Sequence, residues 1–337
     1  MILVTGGTGL LGSHLLYELV RKGEVVRALK RSDSDVNRVL QTFSYYTDNP
    51  EDLFDKIEWV DGDIIDYENL LTHFEDIETV YHLAAMVSFD KRDWQKMMNT
   101  NVGGTANIVN GCLEMGVRKF CFVSSSSAIG KPAEGTEADE NTPWKFTKDS
   151  SAYGYSKFQS ELEVWRGIEE GLNAVIVNPT IIIGPGNWGH GSSKMFPTIH
   201  KGMKYYTKGI TGYVDVRNVI SCMIKLIESN ISGERFILSE GNYSYKEIFD
   251  KIADGLKVKL PRKYASPMLT SIVSKLDNLR SKITSTAPLI TKEIADASHQ
   301  IVKFDNRKIR DRLGFDFISV NETVMNTTIY YKKDITN

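Results

Sequence analysis

Tyr153 and Lys157 stand four residues apart in Tyr153-Gly154-Tyr155-Ser156-Lys157, at the start of an amphipathic run that continues through Leu162, Val164, Trp165 and Ile168. On a helix that spacing stacks a phenol and an ammonium one turn apart on one face, while Tyr155 points elsewhere. A free phenol has a pKa of about 10, and bringing it to about 7 takes roughly 4 kcal/mol. A neighbouring ammonium has the right sign to contribute. A tyrosine so placed can pass a proton to or from a substrate oxygen. Upstream, the run Ser124-Ser125-Ser126-Ser127 follows the apolar stretch Lys119 to Val123. Its hydroxyls therefore fall at the C-terminal end of a predicted strand, where open α/β sheets bind ligands.

A second constellation lies in Met1 to Ser13, MILVTGGTGLLGS. A short apolar strand, glycines at 6, 7, 9 and 12, and an amphipathic run from Leu10 give strand, turn and helix in the order a dinucleotide fingerprint requires. Gly6 permits the tight turn, Gly9 a close approach to pyrophosphate, and Gly12 close packing of helix on strand. The helix N-terminus offers N–H groups and a positive dipole end to phosphates. The next strand, Glu24 to Leu29, runs into Lys30-Arg31, and no acid occurs before Asp33. In such a fold an acid here would bind a ribose 2′-hydroxyl, whereas cations suit a 2′-phosphate. NADP is therefore expected over NAD, the plain alternative being a solvated charged turn. Asp63, at the edge of the third strand in Gly62-Asp63-Ile64, is placed either to accept from an adenine amino group or to shape a turn.

The elements that must carry these residues alternate regularly. Strands are predicted at Met1–Val4, Glu24–Leu29, Ile57–Val60, Thr79–Ala85, Lys119–Val123 and Ala174–Val177. Helices are predicted from Leu10 to Gly23, from Val36 to Phe43, from about Asp93 to Met115, and from Tyr153 onward. That alternation over some 180 residues argues an α/β, Rossmann-type doubly wound parallel sheet. Beyond it, Gly212–Val216 and Arg235–Leu238 read as strands, and Tyr245–Leu256, Pro267–Leu279 and Lys308–Leu313 as helices. The domain reading is 1–178 plus about 212–239 for dinucleotide binding, with about 179–211 and 240–337 forming a smaller, interleaved substrate domain. Met268, Leu269, Ile272, Val273, Leu276 and Leu279 form an apolar stripe, expected to pack on its own domain rather than on lipid. His14 reads as a packed or surface residue rather than a ligand, and His82 as a satisfied core histidine rather than a catalytic one.

The bulk composition excludes several classes. The chain of 337 residues has 41 Lys+Arg against 43 Asp+Glu, a net charge of -2. That balance gives no reason to expect nucleic acid or a membrane as a partner. The longest apolar runs fall far short of the ~20 residues of a spanning helix. No basic segment followed by an apolar one opens the sequence, so no signal peptide is expected. Cys112, Cys121 and Cys222 are odd in number and widely spaced. They read as free thiols in a reducing cytoplasm, and no metal site is expected.

Taken together, TGGTGLLG, the serine run and Tyr153-xxx-Lys157 resemble the extended short-chain dehydrogenase/reductase superfamily. So do GDIID around Asp63, YHLAA at 81–85, NVGGT at 101–105, PTIIIGPG from Pro179, YVDVRN at 213–218 and FDNRKIRDRLGF at 304–315. Within it the chain is similar to the NAD-dependent epimerase/dehydratase branch that includes dihydroflavonol 4-reductase and 3β-hydroxysteroid dehydrogenase. The resemblance implies Tyr153 as acid/base, Lys157 beside it, and Ser125 as the substrate-orienting serine, counted back from Gly130, with Ser126 its neighbour in register. It implies cofactor contacts at Gly6, Thr8, Gly9, Leu10, Leu11 and Gly12, then Lys30 and Arg31. Further contacts are implied at Asp63, Ile64, Leu83, Ala84 and Ala85, and at Asn101, Tyr153, Lys157, Pro179 and Thr180.

Two departures stand out, since nucleotide-sugar members commonly carry arginine where this chain has Thr211 and Asn178. The expected activity is therefore interconversion of a carbonyl and an alcohol on a small, moderately apolar substrate. A nucleotide-sugar epimerase or dehydratase is the second reading and a non-catalytic cofactor sensor the third. The substrate pocket is expected between Met86–Phe89, the loop near Trp188 and the C-terminal helices. Superfamily members commonly dimerise through helices corresponding to about 93–115 and 152–170, so a homodimer is expected, with a monomer as the alternative.

Overall fold

Apolar runs of four to six residues build the centre of the molecule. In the computed structural model, which describes residues 1–147, 150–284, 286, 288 and 290–336, the first six strands are Ile2–Thr5 (β1), Val26–Lys30 (β2), Ile57–Asp61 (β3), Thr79–His82 (β4), Lys119–Val123 (β5) and Ala174–Pro179 (β6). They are followed by Ile181–Ile183 (β7), Tyr205–Tyr206 (β8), Ile210–Asp215 (β9), Glu234–Leu238 (β10), Gly241–Ser244 (β11) and Lys263–Tyr264 (β12). One seven-stranded sheet runs in the order β10-β6-β5-β4-β1-β2-β3 with every pair parallel. The order reverses between β1 and β4. At that switch point the connections leave on opposite faces and open a crevice at the strands' C-terminal ends.

Both faces of the sheet are covered, as a parallel sheet requires. Alternate residues feed opposite cores. Val4, Val26, Cys121, Val175 and Val177 pack with the helices Leu10–Arg21 and Val216–Glu228. Leu3, Leu29, Phe120, Phe122 and Ile176 pack with Gly104–Glu114 and Ala152–Glu169. All three cysteines are buried free thiols. A third core joins Ile183, Phe196, Tyr213, Ile248, Ile252 and Val324. It sits against a small sheet in the order β11-β9-β7.

The structure departs from the sequence reading at four places. The helix expected over 93–115 is interrupted: Trp94–Met98 leads into a π turn at Asn99–Gly103 before Gly104–Glu114. Such bulges concentrate at functional sites. β4 ends at His82, so Leu83–Ala85 leave the sheet. The helix Pro267–Thr284 turns its apolar stripe outward and buries Ser274 and Ser281 instead. A helix absent from the sequence reading, Val320–Thr336, closes the third core against Tyr245–Leu256. Among the described residues no helix is long and apolar enough to cross a membrane, and no group of three or more His, Cys, Asp or Glu is placed to hold a metal.

Candidate active site

The glycine loop after β1 rests on the chain leaving β4. Gly6 has a φ of +73°, and a Cβ there would stand 2.7 Å from the Ala84 nitrogen. A Cβ on Gly12 would stand 2.1 Å from the Gly6 carbonyl oxygen, so only glycine seats the first helical turn on the loop. The Gly9 N–H donates to that carbonyl at 3.1 Å. No side chain among the described residues caps the helix Leu10–Arg21, which leaves its first-turn N–H groups for an anion. This is a cradle that side chains would fill, and its shape and donor set fit a dinucleotide pyrophosphate. Thr8 is half-buried, Gly9 exposed and Leu11 buried in the core. Leu83 and Ala84 are half-buried beside the loop, with Ala85 exposed beyond them.

The adenosine end is less open than its residue types suggest. Lys30 Nζ donates to Asp61 Oδ1 at 2.5 Å, across the parallel register that sets β2 beside β3. Arg31 meets Asp33 at 3.2 Å, with both side chains exposed. Each cation thus has a carboxylate partner, which a 2′-phosphate would have to share or displace. Asp63 Oδ1 accepts from the Ile65 N–H at 3.1 Å, the geometry of a turn residue. Ile64 is buried, and its carbonyl accepts from Asn107 at 2.9 Å.

Asn101 lies in the π turn, buried, with its amide engaged at both ends. It accepts from the Met86 N–H at 2.7 Å and donates to the Met86 carbonyl at 2.9 Å and to Ser156 Oγ at 2.9 Å. It braces the loop that follows β4. Pro179 and Thr180 are buried at the end of β6, and Thr180 Oγ1 donates to the Leu238 carbonyl at 3.1 Å.

The residues expected to react, Ser125, Tyr153 and Lys157, come together where β5 ends. Ser151 caps the helix Ala152–Glu169 by accepting from the Gly154 N–H at 2.9 Å, which sets the helix start against the serine turn. Lys157 is buried; its Nζ donates to the Val123 carbonyl at 2.8 Å and stands 4.3 Å from the Phe122 ring centroid. Burial pulls its pKa down to about 7, and Glu161 pushes the other way. Burial likewise pushes the Tyr153 phenol above its ordinary pKa, and the Ser125 hydroxyl beside it pulls back. The lowering expected from Lys157 does not enter in the protein alone, where the loss of solvent exceeds what Ser125 returns. The Phe89 ring lies edge-on to Tyr153 at 6.1 Å between centroids. Phe89 thus reaches the site as expected. In the loop near Trp188, the indole packs on Phe196 and Tyr331 and donates to Asp334 at 2.8 Å.

Beneath these residues lies a charged network that motif reading did not find. Glu161, one turn beyond Lys157, is buried and accepts from Asn178 Nδ2 at 2.5 Å and from Arg235 Nη1 at 2.9 Å. Asn178 Nδ2 also donates to the Ser125 carbonyl at 3.0 Å. Arg235 reaches the Glu140 carbonyl, and Glu140 Oε1 accepts from the Ile237 N–H at 2.8 Å. The available signal was Glu161 itself, an acid four residues after Lys157 on the helix's inward face. His82 is a satisfied core residue, held between Thr5 Oγ1 at 2.7 Å and Thr105 Oγ1 at 3.1 Å. His14 is packed as expected, against Tyr46 and Pro185.

Comparison with known proteins agrees with this fold. The model of the NAD dependent epimerase/dehydratase family matches residues 2–238. The chain is 30% identical over 278 residues to sterol demethylase protein B of Methylococcus capsulatus, covering 81% of this chain and 80% of that one. It is 25% identical to cinnamoyl-CoA reductase 1 of Petunia hybrida, covering 97% and 90%. The crystal structure of gox2253 superposes with a TM-score of 0.82 at 27% identity, covering 99% of this chain and 98% of that one.

Proposed function

The chain belongs to the NAD dependent epimerase/dehydratase family, and from that footing we propose that it is an NAD(P)-dependent oxidoreductase interconverting a carbonyl and an alcohol on a small, moderately apolar substrate. The observation that carries the reading is Tyr153, flanked by Ser125 and one turn from Lys157, with the Phe89 ring rather than a charged group against it.

A bound nicotinamide supplies the hydride donor or acceptor. Gly6 to Gly12 and the open helix N-terminus would hold its pyrophosphate, with Leu83 to Ala85 along its flank. Tyr153 donates its proton to the substrate oxygen as the carbonyl becomes an alcohol, and Ser125 donates to the same oxygen and fixes its direction. The raised phenol pKa keeps Tyr153 protonated at neutral pH, the form that reduction needs. Lys157, anchored on Val123, stands one turn away. NADP is proposed over NAD, because Lys30 and Arg31 remain the residues at the end of β2.

The epimerase reading uses the same three residues. Against it, Asn178 is buried and engaged by Glu161 and Ser125, and Thr211, in β9, brings no charge. Incubation with NADPH or NADH tests the choice, with alicyclic and aromatic ketones in one series and nucleoside diphosphate sugars in the other. Loss of nicotinamide absorbance with ketones is expected. Conversion of a sugar nucleotide with no net cofactor consumption would overturn the proposal.

The protein is further proposed to act as a homodimer, with no nucleic acid partner. Trp94 and Leu162 are exposed on the neighbouring helices named above, and Phe158 stacks on Trp144 at 4.6 Å beside them. Sedimentation at micromolar concentration checks this, and a single species near 38.0 kDa would refute it.

A further inference from the structure

The helix Pro267–Thr284 is amphipathic in the inverted sense. Ser274 and Ser281 are buried under it, whereas Met268 is 75%, Leu276 63% and Leu279 56% exposed, with Ile272 and Val273 beside them. Its one carboxylate, Asp277, is held by Arg280 and by the Ile290 N–H at 2.9 Å. An apolar stripe of this size left facing water marks a contact surface.

The ribbon that leads into the helix supplies the chemistry of the partner. β12 pairs in parallel with β8, so that Lys263 lies opposite Tyr205 and Tyr264 opposite Tyr206. Residues 201–208 hold Lys201, Lys204 and Lys208, and 259–264 hold Lys259, Arg262 and Lys263, with no Asp or Glu in either stretch. Tyr205 and Tyr264 are exposed, and Lys208 Nζ stands 4.7 Å from the Tyr264 ring centroid. His299 joins ribbon to helix: its ring meets Tyr264 at 6.5 Å and its Nε2 bonds Thr270 at 2.9 Å. Tyrosines and cations thus adjoin the N-terminal end of the helix whose apolar stripe faces outward.

We propose that this surface docks the protein on an anionic lipid bilayer, with the outward stripe of Pro267–Thr284 entering the headgroup boundary and the β8–β12 cations meeting lipid phosphates. Charge complementarity selects that occupant. A second copy seated on the same face across a two-fold axis would set these cations against themselves, whereas an anionic headgroup layer matches them. Tyrosines at the junction of charge and apolar surface suit the membrane interface. The helix also adjoins the reaction site: Arg92 reaches Ser281 Oγ at 3.2 Å, close after Phe89 in the chain. Docking through this surface requires nothing of the chemistry assigned to Tyr153.

Flotation of the full chain with phosphatidylcholine vesicles, with and without about 30% phosphatidylglycerol, tests it. Binding is expected to the anionic vesicles only, and to fall as salt rises from about 0.1 M to about 0.5 M. The double substitution Leu276→Gln, Leu279→Gln is expected to lower the bound fraction about tenfold or more, and Lys208→Glu with Lys263→Glu to lower it similarly. Both variants should keep the wild-type melting midpoint, since these side chains are exposed. The proposal is overturned by absence of flotation with anionic vesicles. It is equally overturned if the leucine variant floats like wild type, or if that variant dissociates an oligomer in the absence of lipid.

Discussion

Glu161 lies one helical turn beyond Lys157 on the buried face of the same helix, and its carboxylate holds up the charge of an ammonium that burial alone would discharge. Glu161 is itself kept in place by Arg235 at 2.9 Å and by Asn178, which ties it to the carbonyl of Ser125. Lys157 and the serine turn therefore share one buried support. Burial pushes the Glu161 carboxyl above the usual carboxylate range, and Arg235 opposes that rise.

Glu161→Gln keeps the shape and removes the charge. Lys157 loses its proton as pH rises through about 7 in the wild type. Without the carboxylate that limb should move to lower pH, by about one unit for each ~1.4 kcal/mol of lost interaction. Leaving half-buried Arg235 with only the Glu140 carbonyl should also cost about 1–3 kcal/mol of stability. The pH profile of kcat for carbonyl reduction and urea unfolding measure the two effects. A merely structural Glu161 would lower stability with the limb unmoved.

Tyr153→Phe removes only the ionisable hydroxyl. Turnover should fall by about 10²–10⁴-fold, with cofactor affinity nearly unchanged in a fluorescence titration. Lys157→Ala should damage both and leave the half-buried Val123 carbonyl without its donor, at about 1 kcal/mol of stability. Retention of most activity by the phenylalanine variant would remove Tyr153 from the acid/base role.

What was legible in the sequence was short in range. Gly6, Gly9 and Gly12, and the four-residue step from Tyr153 to Lys157, express constraints of a single turn, and spacing alone carries them. Partners set by the register of the sheet were not legible. Lys30 reads as a free cation until β2 lies beside β3 and delivers Asp61. Asn178 reads as a missing arginine until β6 places it under the serine turn. Arg235 reaches Glu161 only through the pairing of β10 with β6. Periodicity likewise locates the stripe from Met268 to Leu279 without saying which way it faces, and the small serines beneath it decide that.

Cofactor choice follows from the same register. A charge-assisted contact to phosphate contributes about 1.5–3 kcal/mol, or roughly 10- to 100-fold. Lys30 and Arg31 both have carboxylate partners, so the lower end is expected for NADP over NAD. Arg31→Ala should erase most of that preference, and Asp61→Asn, which frees Lys30, should enlarge it. Titration of both cofactors against the three proteins decides the matter. Equal affinities in the wild type, or tighter NAD, would sink the idea.

Two buried histidines make the fold acid-sensitive, and His14 isolates the effect. Its Nε2 faces the Pro185 carbonyl at 2.8 Å and must donate, so Nδ1 accepts from the Tyr46 hydroxyl at 2.6 Å and the ring is neutral. Burial lowers the pKa of His14 to about 4 and that of His82 to about 3. The unfolded chain takes up these protons near the ordinary histidine pKa of about 6.5, well before the folded protein does. The contribution of each ring is therefore complete above pH ~6.5 and is lost as pH falls toward its folded pKa. His14→Gln should be less stable than wild type at pH ~7, and that difference should shrink by about 2–3 kcal/mol by pH ~4.5. Urea unfolding of both proteins across this interval is the measurement. A difference that stays constant with pH would mean that His14 does not enter the fold as a neutral ring.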